Sequence, residues 1–590
     1  MACAGIDQAG APVSQVRRGD AVPANGLADA AKMKEADTAG QGCGHGLDRH
    51  ARHDPPERNH VFELCDTARR MENRISRIVV VGGGSAGWLS AAVIAAEHRS
   101  DPQARPPIEV LLIESPNIPT IGVGEGTWPS MRETLRRIEL SETDFIRECD
   151  ASFKQGTFFR NWQTGTGDTY SHPFTIPTGY AETNLAPHWL ALTDAPPFAD
   201  AVTPQTALFA DCLAPKQITT PEYAFVVNYG YHLDAGKFAE LLRRHCTKQL
   251  GVKHIMANVS RINAAENGDI RSVTTDRAGE IAGDLFIDCT GTSSLLLGEH
   301  FKIPFQSRQA HLFNDTALAA QVPYAEEDRA IQSCTRSTAQ TAGWIWDIGL
   351  PTRRGTGHVY SSAHISEDEA AAQLLAYIRG IAGEKAAGSV VPRKIRFQPG
   401  HRREFWHRNC VAIGMSSGFI EPLEASALVM IELAAGMIAE QLPPTREIMD
   451  IVARRYNRKF SRHWNQIIEF LKLHYVLSAR NDSPYWQDNR AAASIPEELS
   501  ERLLLWRYRS PWHQDAGAVD DLFPTASYQY ILYGMRFETV PHQTFSHRQQ
   551  QRQASELFRR NAARAAQLKQ ALPGNRELLD KVREFGFQKL

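Results

Sequence analysis

The chain has 590 residues, with 65 basic and 67 acidic side chains and a formal charge of −2. That balance lacks the basic field that nucleic-acid binding requires. At 42% hydrophobic, 22% charged and 9% aromatic, with 42 Gly and 32 Pro, the composition is that of a soluble globular protein and excludes collagen-like or wholly disordered chains.

The length allows two to four domains or lobes. Nine cysteines are scattered and never spaced as CxxC. They argue against a disulfide framework or a zinc site, and for reduced thiols in a cytoplasmic protein. No basic stretch followed by an apolar one opens the chain, so no secretory signal is read.

Residues 1–70 carry isolated aliphatics without period, and Phe62 is their first aromatic. They read as a disordered extension. Met71 stands directly before the first convincing strand and is a candidate biological start. Ile78–Val81 predicts a buried strand, Ser85–Glu97 a helix, and Ile108–Ile113 a second strand ending at Glu114. The charge-free run Ile78–Ala96 approaches membrane-span length, but Gly82-Gly83-Gly84 in its middle makes it strand, turn and helix. No membrane partner is expected.

A Gly/Pro-rich loop covers Pro119–Pro129, and helical patterns run on to Cys149. Residues 163–222 read as an irregular insertion. Phe238–Leu250 has helical spacing. Strands alternate over Val252–Asp288, with hairpins at Asn267-Gly268 and around Gly279. Residues 310–365 predict a second sheet, Cys410–Ile413 a buried strand and Glu424–Gln441 a helix. Beyond Pro444 the chain reads as helical, its last helix about Ser546–Leu572.

The expected organisation is α/β. A Rossmann-like lobe covers 74–300, is completed by 395–440, and carries the insertion 163–222. A second-sheet region follows over 301–394, and a helical region over 441–590.

Gly82, Gly84 and Gly87 fit GxGxxG between a strand and a helix, the context that gives this pattern its meaning. Gly82 permits the turn, Gly84 lets amides approach a pyrophosphate, and Gly87 lets helix pack on strand. The turn residues Ser85 and Ala86 open a helix whose N-terminus faces the phosphates. Glu114 is the expected acceptor for ribose hydroxyls, its longer spacing explained by the Pro-rich stretch Glu97–Pro107. Two further strand ends, at Asp288 in LFIDCTG and Gly414 in VAIGMSSG, favour FAD over NAD, because an extended dinucleotide uses three such ends.

With these segments in place, residues 74–540 resemble the flavin-dependent halogenases typified by tryptophan halogenases. GGGSAGW at 82–88 and IGVGEGT at 121–127 carry the resemblance. So do SFKQGTFFRNW around Phe153-Lys154, WIWDI at 344–348, FIEPLEASAL at 419–428, and Leu473-His474-Tyr475 with Asp482–Trp486. Two departures stand out. Gly349 replaces the signature proline, with Pro351 beyond it. Glu424-Ala425-Ser426-Ala427 replaces a segment usually ending in Gly, a residue that tolerates positive φ.

The resemblance implies a reaction. Reduced flavin from a separate reductase and O₂ give a flavin hydroperoxide. Chloride or bromide then yields hypohalous acid, which travels to an electron-rich, indole- or tryptophan-like aromatic. It implies that Lys154 guides the oxidant and that Glu424, rather than Glu421, takes the ring proton. It also implies that amides of Ser426 and Ala427 hold halide, and that Gly122, Val123, Gly124 and Glu125 strap the flavin. Trp344 and Trp346 would shield the substrate. A homodimer is admitted.

Each residue also has a plainer reading: Lys154 a surface charge, Glu424 a helix-capping acid, the tryptophans core. His232 and Asp234 look like a catalytic pair, but Asp234 opens a helix and reads as its cap. Two other functions stay open from sequence, an FAD-dependent aromatic hydroxylase and a non-catalytic flavin-binding protein.

Overall fold

A parallel sheet organises the N-terminal half. Its order is Trp406–His407, Cys410–Ala412, Leu285–Asp288, Arg77–Val81, Glu109–Glu114 and Lys253–Met256, and only the Trp406–His407 edge runs antiparallel. Val79, Val80, Leu112, Phe286 and Val411 are wholly buried, as a parallel sheet covered on both faces demands. The computed structural model describes residues 74–99, 108–118, 124–326, 329–518, 520–540 and 544–589. The extension 1–70, the start at Met71, and Gly122 and Val123 lie outside these residues. All described residues belong to one compact unit within 73–590.

Helix Ser85–Glu97 is buried from Gly87 to Ala95. Its run of Ala, Val and Ile without a polar stripe is what a helix enclosed on all sides carries. It packs against helices Ala235–Lys248 and Ser426–Glu440. Asp234 caps the former, its Oδ1 accepting from the amides of Gly236 and Lys237. Both predicted hairpins form, turning at Gly268 (φ 84°) and Gly279 (φ 69°).

The second sheet has seven strands, ordered Arg393–Arg396, Thr316–Pro323, Arg353–Tyr360, Gly343–Gly349, Thr335–Gln340, Gly156–Arg160 and Thr169–Pro173. A three-stranded sheet bridges the two, with Gly230–Asp234 between Gly124–Gly126 and Ser152–Lys154. It sets Lys154 opposite Gly230, and both Gly126 and Ser152 opposite His232. Among the described residues no helix is long and apolar enough to cross a membrane.

Three differences from the sequence expectation have physical causes. Thr169–Pro173 is a strand inside the segment expected to be irregular. It has no aliphatic side chain, and as an edge strand it tolerates Pro173. Helix Glu367–Ser389 is capped by Ser366 and broken at Gly383 (φ 85°); its three glycines dilute the helical pattern. The helix expected from Glu424 begins at Ser426, because Ala425 adopts a left-handed conformation (φ 54°, ψ 40°).

Candidate functional site

The glycine turn opens onto a cavity of about 400 Å³. Gly82 has φ 115°, and a Cβ there would fall 2.2 Å from the Cys289 carbonyl oxygen. A Cβ on Gly87 would come 1.8 Å from the Gly82 oxygen, so helix and strand touch backbone to backbone. A Cβ on Gly84 would meet nothing within 4 Å; that open space is the cradle a phosphate needs.

Gly82, Gly84, Ser85, Ala86, Glu114, Glu125, Gly414, Ser426 and Ala427 all line this cavity. Glu114 lies over the turn, with His254 Nε2 2.8 Å from its Oε2. The Glu125 carboxyl has no hydrogen-bond partner among the described residues, and burial pushes it up to about 7. Asp288 does not face the cavity. It accepts from the Thr290 amide and hydroxyl and from the amides of Leu296 and Leu297. Its work is to shape the loop whose residues Cys289, Thr290 and Gly291 line the wall. The residues present fit an extended dinucleotide: three strand ends, an open glycine turn, an acid at the second strand and a helix N-terminus at the far end.

Lys154 is 1% exposed. Its amine lies where a Cβ on Gly126 would come within 3.1 Å, and that Cβ would also sit 3.3 Å from Ala425 Cβ. The chain neighbours Glu125 and Ser426 line the cavity. The amine therefore stands one residue behind the cavity wall on both segments. No side-chain acceptor among the described residues bonds to it; the Phe174 ring centre is 5.2 Å away. Burial pushes its ammonium down to about 8, against the opposing fields of Glu424 and Cys334.

Glu424 is held by two imidazoles. His172 Nδ1 is 3.1 Å from both carboxylate oxygens, and His474 Nε2 is 3.2 Å from Oε1. Behind them, Ser527 Oγ lies 2.9 Å from His172 Nε2 and Tyr170 OH 2.7 Å from His474 Nδ1. Burial would raise the carboxyl, but the two histidines overcome it and hold it near 2. Trp128 Nε1 donates to the Glu424 carbonyl at 2.7 Å. Neither imidazole was singled out from the sequence. His474 stands within Leu473-His474-Tyr475, and His172 lies in the stretch 163–222 that reads as irregular.

Glu421 is distinguished from Glu424 by its partners. Its Oε2 accepts from Asn314 Nδ2 (2.6 Å), Trp344 Nε1 (2.7 Å) and Tyr475 OH (2.8 Å). Burial pushes its carboxyl up. Trp344 is thus tied by its indole N–H. Trp346 packs over Gly357, where a Cβ would fall 2.1 Å from the ring. It walls a second cavity of about 410 Å³ with Gly124, Arg353 and Gly355.

The two sequence departures resolve differently. Gly349 has its carbonyl bonded by Ser152 Oγ, and a Cβ there would crowd Ile331 at 3.0 Å. The left-handed residue is Ala425 rather than Ala427, which is helical and suits alanine. Ala425→Gly is expected to raise stability by roughly 1 kcal/mol, because the left-handed conformation penalises a Cβ; a denaturant midpoint that falls instead would show that the Ala425 methyl contact on Gly126 matters more.

The chain's likeness to known proteins points the same way. The tryptophan halogenase profile matches residues 77–551. Tryptophan 6-halogenase SttH of Streptomyces toxytricini is 34% identical over 78% of this chain and 89% of its own. Tryptophan 7-halogenase RebH of Lentzea aerocolonigenes is 30% identical over 76% and 85%. The crystal structure of a tryptophan halogenase from Shewanella frigidimarina superposes with a TM-score of 0.84 at 52% identity, covering 88% of this chain and all of that one. With the dinucleotide cavity and this breadth of match, the chain belongs to the tryptophan halogenase family and is a flavin-dependent halogenase.

Proposed function

We propose that the protein halogenates an electron-rich aromatic, an indole or tryptophan-like ring, with Lys154 and Glu424 as its working residues. The parallel sheet then carries the FAD, and the second sheet with the C-terminal helices forms the substrate side. The observation that carries this reading is the buried, unbonded Lys154 amine, one residue behind the dinucleotide cavity and in the field of Glu424. Family membership favours halogenation over the hydroxylase and silent-carrier readings.

Bound reduced flavin, supplied by a separate reductase, would provide with O₂ the oxidising power that converts halide to hypohalous acid. The chain's own residues do the rest. The first-turn amides of helix Ser426–Glu440 have no intrahelical acceptors. Ser426 and Ala427 line the cavity, where the helix dipole favours an anion. The Lys154 ammonium donates to the oxygen of hypohalous acid and leaves the halogen exposed to the ring. As the ring carbon takes the halogen, the departing oxygen takes a proton from Lys154 and leaves as water. Glu424, held ionised, stabilises the cationic ring and accepts its proton. Trp344 and Trp346 keep the ring away from the flavin.

The test is mass spectrometry of an indole panel incubated with the enzyme, a flavin reductase, O₂ and either halide. Mono-halogenated products that track the halide supplied are expected. Hydroxylated products independent of halide would overturn the reading.

A further inference from the structure

The surroundings of Glu424 define more than a base. Glu424 sits in a loop, and the groups facing it come from three directions. Strand Thr169–Pro173 brings Tyr170 and His172, helix Arg446–Val476 brings His474, and strand Ser152–Lys154 brings Lys154. Around His474 the remaining neighbours are apolar rings, with Phe159, Phe470 and Trp162 centred 4.9, 5.6 and 5.9 Å away. His474 is wholly buried.

The carboxylate beside Nε2 and the hydroxyl at Nδ1 favour one tautomer. Burial holds the Tyr170 hydroxyl protonated, well above its ordinary range. Its oxygen lies 2.7 Å from Nδ1, to which the hydroxyl can donate. Nδ1 accepting leaves the ring proton on Nε2, which lies 3.2 Å from Glu424 Oε1 without the alignment of a hydrogen bond. The opposite tautomer would set a nitrogen lone pair against a carboxylate oxygen. His172 Nδ1, straddling both oxygens, must likewise donate, because an ionised carboxylate only accepts. His172 thus reaches both oxygens, while the His474 ring stands beside Oε1 alone, so Oε2 is the less crowded oxygen.

We propose that His474 is a positioning residue: with Tyr170 behind it, its imidazole beside Oε1 restricts the rotation of the Glu424 carboxylate and favours its charged form in an apolar site, leaving Oε2 for the ring proton. This rests on the reading of Glu424 as proton acceptor. The physical basis is general. A buried carboxylate without donors drifts toward its neutral form, and each donor to the charged form opposes that drift.

The test compares His474→Phe, His474→Gln and Tyr170→Phe in the full chain with FAD, at saturating reductase. In His474→Phe the acid limb of the pH–rate profile is expected to rise by about one pH unit or more, equivalent to about tenfold in the protonation equilibrium. KM for the aromatic should change little while kcat falls. His474→Gln, whose amide can donate, should restore part of the shift. Tyr170→Phe, which keeps the ring and leaves Nδ1 free, should give an intermediate shift and covers the case in which His474→Phe fails to fold.

Infrared titration supplies a readout independent of turnover. A neutral-carboxyl band that disappears in Glu424→Gln should emerge at higher pH in His474→Phe than in the parent. If folded, FAD-binding His474→Phe has an unmoved acid limb and an unmoved band, the proposal is overturned. Full turnover in Glu424→Gln would instead overturn the reading of Glu424 as base, an outcome distinct from failure of the clamp.

Discussion

Lys154→Ala is expected to lower the halogenation rate by about 10²- to 10⁴-fold, the range for losing a positioned proton donor, while FAD binding stays intact. The separation follows from geometry. Lys154 does not line the dinucleotide cavity; it lies behind Gly126 and Ala425. The variant should still consume O₂ when reduced flavin is supplied, releasing oxidant that halogenates nothing in a defined position. Lys154→Arg should not rescue the rate. A guanidinium is larger and planar, and the space at Gly126 is already within 3.1 Å of the lysine amine. Unchanged regiospecific turnover in Lys154→Ala would remove the residue from the mechanism.

The protonation state of Lys154 separates two possible roles of its amine. Burial pushes the ammonium down to about 8. If the charged form holds the oxygen of hypohalous acid, the rate falls as pH rises through about 8. If the neutral amine is first halogenated, the rate rises over the same window. We expect the fall, because the field of Glu424 favours the charged form. A pH–rate profile under saturating reductase decides it.

Legibility of this protein tracked the range of the interactions. The glycine turn could be read because each glycine answers a local requirement: φ 115° at Gly82, close packing at Gly87 and open space at Gly84. Strand Ile78–Val81 and helix Ser85–Glu97 followed from a β-branched run and an Ala-rich run. The imidazole pair on Glu424 could not be read this way. His172 and Glu424 are separated by 252 positions and meet only because Thr169–Pro173 joins the second sheet's edge. The choice of Glu424 over Glu421 rests on resemblance alone, and the three donors tying Glu421 to Trp344, Asn314 and Tyr475 assemble only on folding. The left-handed residue Ala425 could not be read, because alanine gives no signal for that conformation.

A second large effect is expected far from the chemistry, at Lys216. Its amine bonds Glu142 Oε2 at 2.7 Å, and both side chains are wholly buried. Glu142 also accepts from the hydroxyls of Tyr229 (2.6 Å) and Tyr231 (2.7 Å) and from the Tyr223 amide (2.6 Å). The Phe587 ring covers the amine at 4.0 Å. This cluster ties the segment before Gly230–Asp234 to helix Glu142–Glu148 and to the chain's C-terminal residues, and the central strand it anchors carries Tyr231 beside Phe153. Lys216→Ala removes the only cation bonded to Glu142 among the described residues and leaves its charge buried, at a cost of about 3–5 kcal/mol. The double variant Lys216→Met with Glu142→Gln removes both charges and keeps the apolar contact on Phe587, so it should unfold later than Lys216→Ala alone. Urea denaturation followed by tryptophan fluorescence measures both. A double variant that unfolds no later than Lys216→Ala would mean that packing rather than uncompensated charge sets the stability of this cluster.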